Sequence, residues 1–244
     1  MNLFVYESYE SISARAAESV IEVIRSKKHT VLCTASGDSP AGLYKKLVAY
    51  IQQNNIDISG VTFIGLDEWL GMNGNDEGSC RYNLNNQFFH PLNVEEKNIA
   101  FFDGRALDPK MECKRIDDAI EAYGGIDMAI VGLGMNGHVG MNEPGTSPDL
   151  HSHVAEIDPI TQQVGQKYFK EKKEISGGLT LGIDNLMEAD NVMLVVSGNK
   201  KAEILKKVLE EEISEKLPAS LLRNHPNFSV YADAEAASLL KNKI

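Results

Sequence analysis

Val131-Gly-Leu-Gly-Met-Asn-Gly-His-Val-Gly-Met-Asn-Glu-Pro-Gly145 continues directly from the apolar run Ile126–Val131. Gly132, Gly134 and Gly137 spell G-x-G-x-x-G after a strand, the pattern of a dinucleotide-binding turn. Such a turn needs a helix opening among its glycines, so that the helix N-terminus faces a pyrophosphate. Here Gly140 and Pro144 follow closely, and a proline inside a helix costs about 3 kcal/mol or more. The segment therefore reads as a strand end leading into a shaped catalytic turn. His138 and Glu143 give that turn a titratable pair.

Working outward, short β-branched runs alternate with helical stretches. Strands are expected at Leu3–Tyr6, Thr30–Thr34, Val61–Leu66, Ile99–Phe102, Ile126–Val131, Val192–Val196 and Phe228–Tyr231. Several are apolar throughout, as in a parallel sheet covered on both faces. Ile12, Ala16, Val20 and Ile24 recur every four residues, a core-facing helix stripe. Further helices are expected at Ser39–Gln53, Met111–Tyr123, Ser176–Met187 and Lys200–Glu212. The alternation predicts an α/β fold with a single doubly wound, mostly parallel, Rossmann-like sheet and helices on both faces. No linker composition divides the chain, so residues 1–244 read as one domain. Pro144 to Lys173 breaks the rhythm and is either an active-site flap or a surface excursion.

Composition narrows the partners. The 244 residues carry a formal charge of −11, which argues against nucleic acid as a partner. No apolar run reaches the roughly 18–20 residues of a membrane span, and the N-terminus lacks a basic leader. A cytoplasmic location is expected, without a membrane partner. Cys33, Cys80 and Cys113 have neither disulfide nor metal-ligand spacing and read as buried free thiols. No metal site is expected, and self-association into a homo-oligomer stays open.

Two more strand ends carry chemistry. In Thr34-Ala-Ser-Gly-Asp-Ser-Pro-Ala-Gly42, Ser39 can cap the next helix with Pro40 at its first position. The amides of Gly37, Asp38 and Ser39 then suit an anion such as phosphate, with the Asp38 carboxylate turned away. Gly65-Leu-Asp-Glu-Trp-Leu-Gly71 ends another strand with Asp67 and Glu68 adjacent, one to face a ligand and the other the interior or solvent.

Together the Ser36-Gly-Asp-Ser-Pro40 loop, Leu66-Asp-Glu-Trp69, Gly132-Leu-Gly-Met-Asn-Gly-His138 with Met141-Asn-Glu-Pro-Gly145, and Ser197-Gly-Asn-Lys-Lys-Ala202 resemble the glucosamine-6-phosphate deaminase/isomerase family, in a superfamily shared with 6-phosphogluconolactonase. The lactonase branch usually has Asp-Glu-Arg where this chain has Asp67-Glu68-Trp69, so the deaminase branch is favoured. The resemblance implies a small-molecule amino-sugar phosphate substrate and no cofactor. It implies that His138 opens the sugar ring, oriented by Glu143 and by Asn136, where many relatives have aspartate. It makes Asp67 the base that moves a proton from C2 to C1. It assigns phosphate to Ser36, Gly37, Ser39 and Lys201, to which the reading of the loop adds the Asp38 amide. Lys167 stands in for an arginine of relatives and reads equally as a solvated lysine. Trp69, Gly78-Ser-Cys80, Asp158–Gln163 and Gly178–Gly182 lean towards galactosamine 6-phosphate, giving tagatose 6-phosphate and ammonia; glucosamine 6-phosphate would give fructose 6-phosphate. Other readings are a lactonase-type hydrolase and a non-catalytic sugar-phosphate sensor.

Overall fold

Strand β2 (Thr30–Thr34) shows why the apolar runs lack alternation: Val31 and Cys33 are buried in one layer and Leu32 in the other. In the computed structural model, which describes residues 1–175 and 177–241, β2 lies within a seven-stranded parallel sheet. The order is β1 (Asn2–Tyr6), β10 (Phe228–Asp233), β9 (Val192–Val196), β6 (Met128–Gly132), β2, β3 (Val61–Gly65) and β5 (Ile99–Ala100). Leu3 pairs with Val230, so β1 is held at one edge by a strand from the far end of the chain.

Helices cover both faces. Helix α1 (Tyr9–Ser26) turns Ile12, Ala16, Val20 and Ile24 inward, and α2 (Asp38–Asn54) adds Leu43 and Leu47 against Leu32, Phe63 and Ile130. On the opposite face α4 (Pro109–Tyr123), α6 (Ile183–Met187) and α7 (Ala202–Glu210) bury Ile116, Leu186 and Leu205 against Val31, Val131 and Leu194. Each such fully buried aliphatic side chain stabilises the fold by roughly 1.5–3 kcal/mol. The expected doubly wound architecture is the one observed. Among the described residues, no helix is long and apolar enough to cross a membrane.

One expected helix opens as a strand and is helical only in its second half. Ser176, its first residue, lies outside the described residues. Gly177–Thr180 form β8, which pairs antiparallel with β4 (Asp67–Trp69) and β7 (His153–Glu156). Glycine costs about 1 kcal/mol in a helix interior, so Gly177 and Gly178 disfavour the helical alternative, and cross-strand pairing on two sides decides for the strand. Helix survives only at Ile183–Met187. This small sheet places Asp67 opposite Thr180 and gives the Pro144–Lys173 excursion a structured base.

Strand order also locates the crevice. From β2 the chain winds outward through β3 to β5, then returns to β6 on the other side of β2 and winds outward through β9. Loops leaving β2 and β6 therefore diverge above adjacent strands, the topological switch point where ligands of open α/β sheets bind.

Candidate active site

The loop after β2 leads into α2 with Gly37 as N-cap, so the helix begins at Asp38, one residue earlier than expected. Pro40 stands third in the helix rather than first, and Ser39 is not the cap. Tyr9 of α1 supplies local support that the loop sequence does not reveal. Its phenol donates to the Asp38 carbonyl and accepts from the Gly42 N–H, each at 2.6 Å. Glycine is required at position 42, because a Cβ there would lie 2.8 Å from the Tyr9 ring and 2.3 Å from Ser13 Oγ. The amides of the first turn stay directed out of the helix end, in the field of its dipole.

Three charges border this loop. The Asp38 carboxylate is exposed and pairs with Lys167, so Lys167 is not a free solvated lysine. Lys201, from the turn Asn199–Lys201 after β9, donates from Nζ to the Leu133 carbonyl at 2.5 Å. Burial, reinforced by the charge of Lys167 and opposed by Asp38, pulls the Lys201 ammonium down to about 8. Two cations converging beside one carboxylate leave a net positive edge to the loop, within an otherwise acidic protein.

At the end of β3 the two carboxylates separate as strand geometry requires. Glu68 is fully buried and accepts N–H groups of Trp69 at 2.8 Å, Cys80 at 2.9 Å and Arg81 at 3.0 Å. It thereby fastens the start of α3 (Cys80–Leu84) to β4. Asp67 is half-buried on the other side, where desolvation raises its carboxyl to about 6 against the lowering influence of Cys80 and His138. A carboxylate titrating there is a competent base near neutral pH.

The glycine-rich turn after β6 contains no helix before β7, as Pro144 implies. Asn136 Oδ1 lies 2.7 Å from His138 Nδ1, and Asn136 Nδ2 donates to Glu143 Oε2 at 2.8 Å. A carboxylate only accepts, so the Asn136 amide must present its oxygen to the imidazole. Nδ1 then carries the proton and Nε2 holds a free lone pair. His138 Nδ1 lies 3.5 Å from Glu143 Oε2 and 3.0 Å from Thr161 Oγ1. Glu143 is held below the usual carboxylate range by His138, Thr161 and Asn136, although burial works the other way. Its second oxygen, Oε1, is buried without a partner. A Cβ at position 134 would fall 2.3 Å from the imidazole, so Gly134 makes room for His138 rather than bringing backbone to a ligand.

The chain matches the model of the glucosamine-6-phosphate isomerases/6-phosphogluconolactonase family across residues 6–230. It belongs to this family. A glucosamine-6-phosphate deaminase of Thermoanaerobacter pseudethanolicus is 35% identical over all of this chain and 96% of its own length. One of Bacillus velezensis is 36% identical, covering 97% of this chain and 99% of its own. A solved monomeric glucosamine-6-phosphate deaminase superposes with a TM-score of 0.95 at 34% identity, covering 98% of this chain and all of that one. The 6-phosphogluconolactonase of Trypanosoma brucei shares the fold alone, with a TM-score of 0.74 at 18% identity.

Within this family fold, Asn136, His138 and Glu143 form one cluster, and Ser36, Gly37, Asp38, Ser39, Lys167 and Lys201 gather at the neighbouring loop. Thr161 on α5 (Pro159–Gly165) is the residue that sequence reasoning missed at the histidine. The seven residues of that helix carry no local signal for the contact, which comes from tertiary folding. Tyr168, whose hydroxyl sits over Gly37, was equally hidden. The three cysteines are free and buried, as expected.

Proposed function

We propose that this protein is a cofactor-independent deaminase/isomerase of a 2-amino-2-deoxyhexose 6-phosphate, yielding a ketose 6-phosphate and ammonia. The observation that carries this is the switch point itself: an anion-suited loop after β2 and a histidine with free Nε2 after β6 stand on adjacent strands, with a half-buried carboxylate at the end of β3 beside them. The spacing suits a substrate with phosphate at one end and a reacting aldose at the other.

Phosphate binds at Ser36, Gly37, Asp38 and Ser39 through amides and hydroxyls, with Lys201 and Lys167 supplying charge. His138 Nε2 takes the proton of the anomeric hydroxyl and returns one to the ring oxygen, opening the pyranose. The imidazolium formed in between keeps its Nδ1–H on Asn136, whose amide passes on the pull of the Glu143 carboxylate. Asp67 removes the C2 proton while O1 takes a proton from water, giving an enol-amine, and Asp67 then delivers its proton to C1. Water adds to the resulting C2 iminium, and collapse expels ammonia and leaves the ketone.

Glucosamine 6-phosphate stands first as substrate because the curated relatives carry that name at about 35% identity. Galactosamine 6-phosphate stands second, on the departures around Trp69. The Trp69 indole is buried and packs edge-on against Phe169 at 6.5 Å between ring centroids. A coupled ammonia assay on both epimers decides: release from glucosamine 6-phosphate supports the first reading, release favouring galactosamine the second, and release from neither sinks both.

Two further results follow. kcat/KM should rise as Asp67 ionises through about pH 6 and fall above about pH 8 as Lys201 loses its proton. The alkaline loss belongs in KM, since bound phosphate holds Lys201 protonated; an alkaline limb carried by kcat alone would contradict it. Asp38→Asn should free Lys167 and lower KM by roughly two- to fivefold at low salt, with kcat unchanged, the gain fading as salt rises. An unchanged or higher KM would show that Asp38 serves the loop in another way.

A further inference from the structure

We infer that Thr161 is a positioning residue for His138: its hydroxyl oxygen accepts Nδ1–H beside Asn136 and holds the imidazole with Nε2 free. The inference rests on His138 opening the sugar ring. Thr161 lies on α5, within the excursion that follows the glycine-rich turn, and is 8% exposed. Its place is set locally. Asp158 caps α5 by accepting from Ile160 N–H at 2.8 Å, and Pro159 fixes the first turn. A threonine inside a helix commonly hydrogen-bonds the carbonyl four residues back. That carbonyl, of Ile157, accepts instead from Gln162 Nε2 at 2.8 Å, and the Thr161 hydroxyl turns to His138 Nδ1 at 3.0 Å.

Asn136 alone serves Nδ1 incompletely. Its Oδ1 also accepts the His138 backbone N–H at 3.2 Å, so the two lone pairs of that oxygen are divided between two donors. Thr161 Oγ1 is a second acceptor at the same nitrogen. Charged groups face the imidazole from two elements: Glu143 from its own turn, with Oε2 3.5 Å from Nδ1, and Asp67 from the end of β3. Thr161 adds a neutral oxygen from a third. When Nε2 takes up a proton during ring opening, Nδ1–H becomes a stronger donor, and two oxygens then share it. The ring lies over Gly134, where a Cβ would stand 2.3 Å away, so that side of it has no side chain to steady it. Two acceptors flanking one N–H fix its rotation instead.

The test follows His138 by nitrogen NMR in protein labelled at the histidine ring nitrogens, the resonances being assigned by their loss in His138→Gln. In wild type the neutral ring should carry its proton on Nδ1. Thr161→Val keeps the side-chain shape and removes the acceptor. The midpoint of His138 protonation should then fall by about half a pH unit or more, because the imidazolium loses a partner. kcat for ammonia release should drop roughly 10–100-fold, with KM little changed. Thr161→Ser restores an oxygen, and both midpoint and kcat should return towards wild type. A proton on Nε2 in the neutral wild-type ring, or an unchanged or raised midpoint in Thr161→Val, overturns the inference. So does a serine variant that behaves like the valine one. If Thr161→Val does not fold, Thr161→Ala carries the same readings. A midpoint that moves as stated while kcat keeps its wild-type value would instead overturn His138 as the ring-opening group.

Discussion

Asp67→Asn is expected to lower kcat by roughly 10²–10⁴, with KM changed by no more than about twofold. The side chain keeps its shape and its place at the end of β3, so sugar and phosphate still bind. What disappears is the one proton acceptor at that strand end whose burial tunes it to about 6. Asparagine cannot take the C2 proton, and Glu68 cannot substitute, because both its oxygens are occupied by backbone N–H groups inside the protein. Steady-state ammonia release measures the loss. Deuterium uptake from solvent into recovered sugar supplies a second reading, which should vanish with kcat. A variant within tenfold of wild type would remove Asp67 from the proton transfer.

The division of labour between Asp67 and Glu68 marks how far the sequence can be read. Strand alternation separates the two carboxylates, but which one turns inward depends on α3 arriving with two free N–H groups. That arrival is a tertiary event. The same holds at β8, where Gly177 and Gly178 weaken a helix without naming the two strands that pair with them. Continuous apolar runs, by contrast, locate β2, β6 and β9 by themselves, because burial on both faces leaves no polar residue to blur them. Local signals place Asn136, His138 and Glu143 in one turn, the first and last seven positions apart. Thr161 and Tyr9 reach the site from other elements, and nothing in their neighbouring residues announces the contact.

His138→Gln should also cost roughly 10²–10⁴ in kcat, for a different reason. Glutamine can hydrogen-bond the ring oxygen or the anomeric hydroxyl, but it cannot shuttle a proton between them. Ring opening then depends on solution chemistry, and the residual rate should climb with the concentration of a small general acid–base buffer such as imidazole at fixed pH. Wild type should show no such dependence. Near-normal turnover in the variant, or a residual rate indifferent to buffer, would take ring opening away from His138. Glu143 is not expected to stand in, since one oxygen is tied to Asn136 and the carboxylate is held in its ionised form.

The pairing of β1 with β10 has a consequence for how the chain is made. Residues Asn2–Tyr6 are made long before Phe228–Asp233, their neighbour in the sheet among the described residues. At translation rates of about 5–20 residues per second, that strand waits roughly ten to forty-five seconds for its partner. Tyr9, which braces the loop after β2, follows only three residues after the end of β1 and belongs to the helix that strand leads into. The loop after β2 therefore reaches its final form late in biogenesis, and nascent chains stalled before Phe228 should be the population most exposed to chaperones and to aberrant strand pairing.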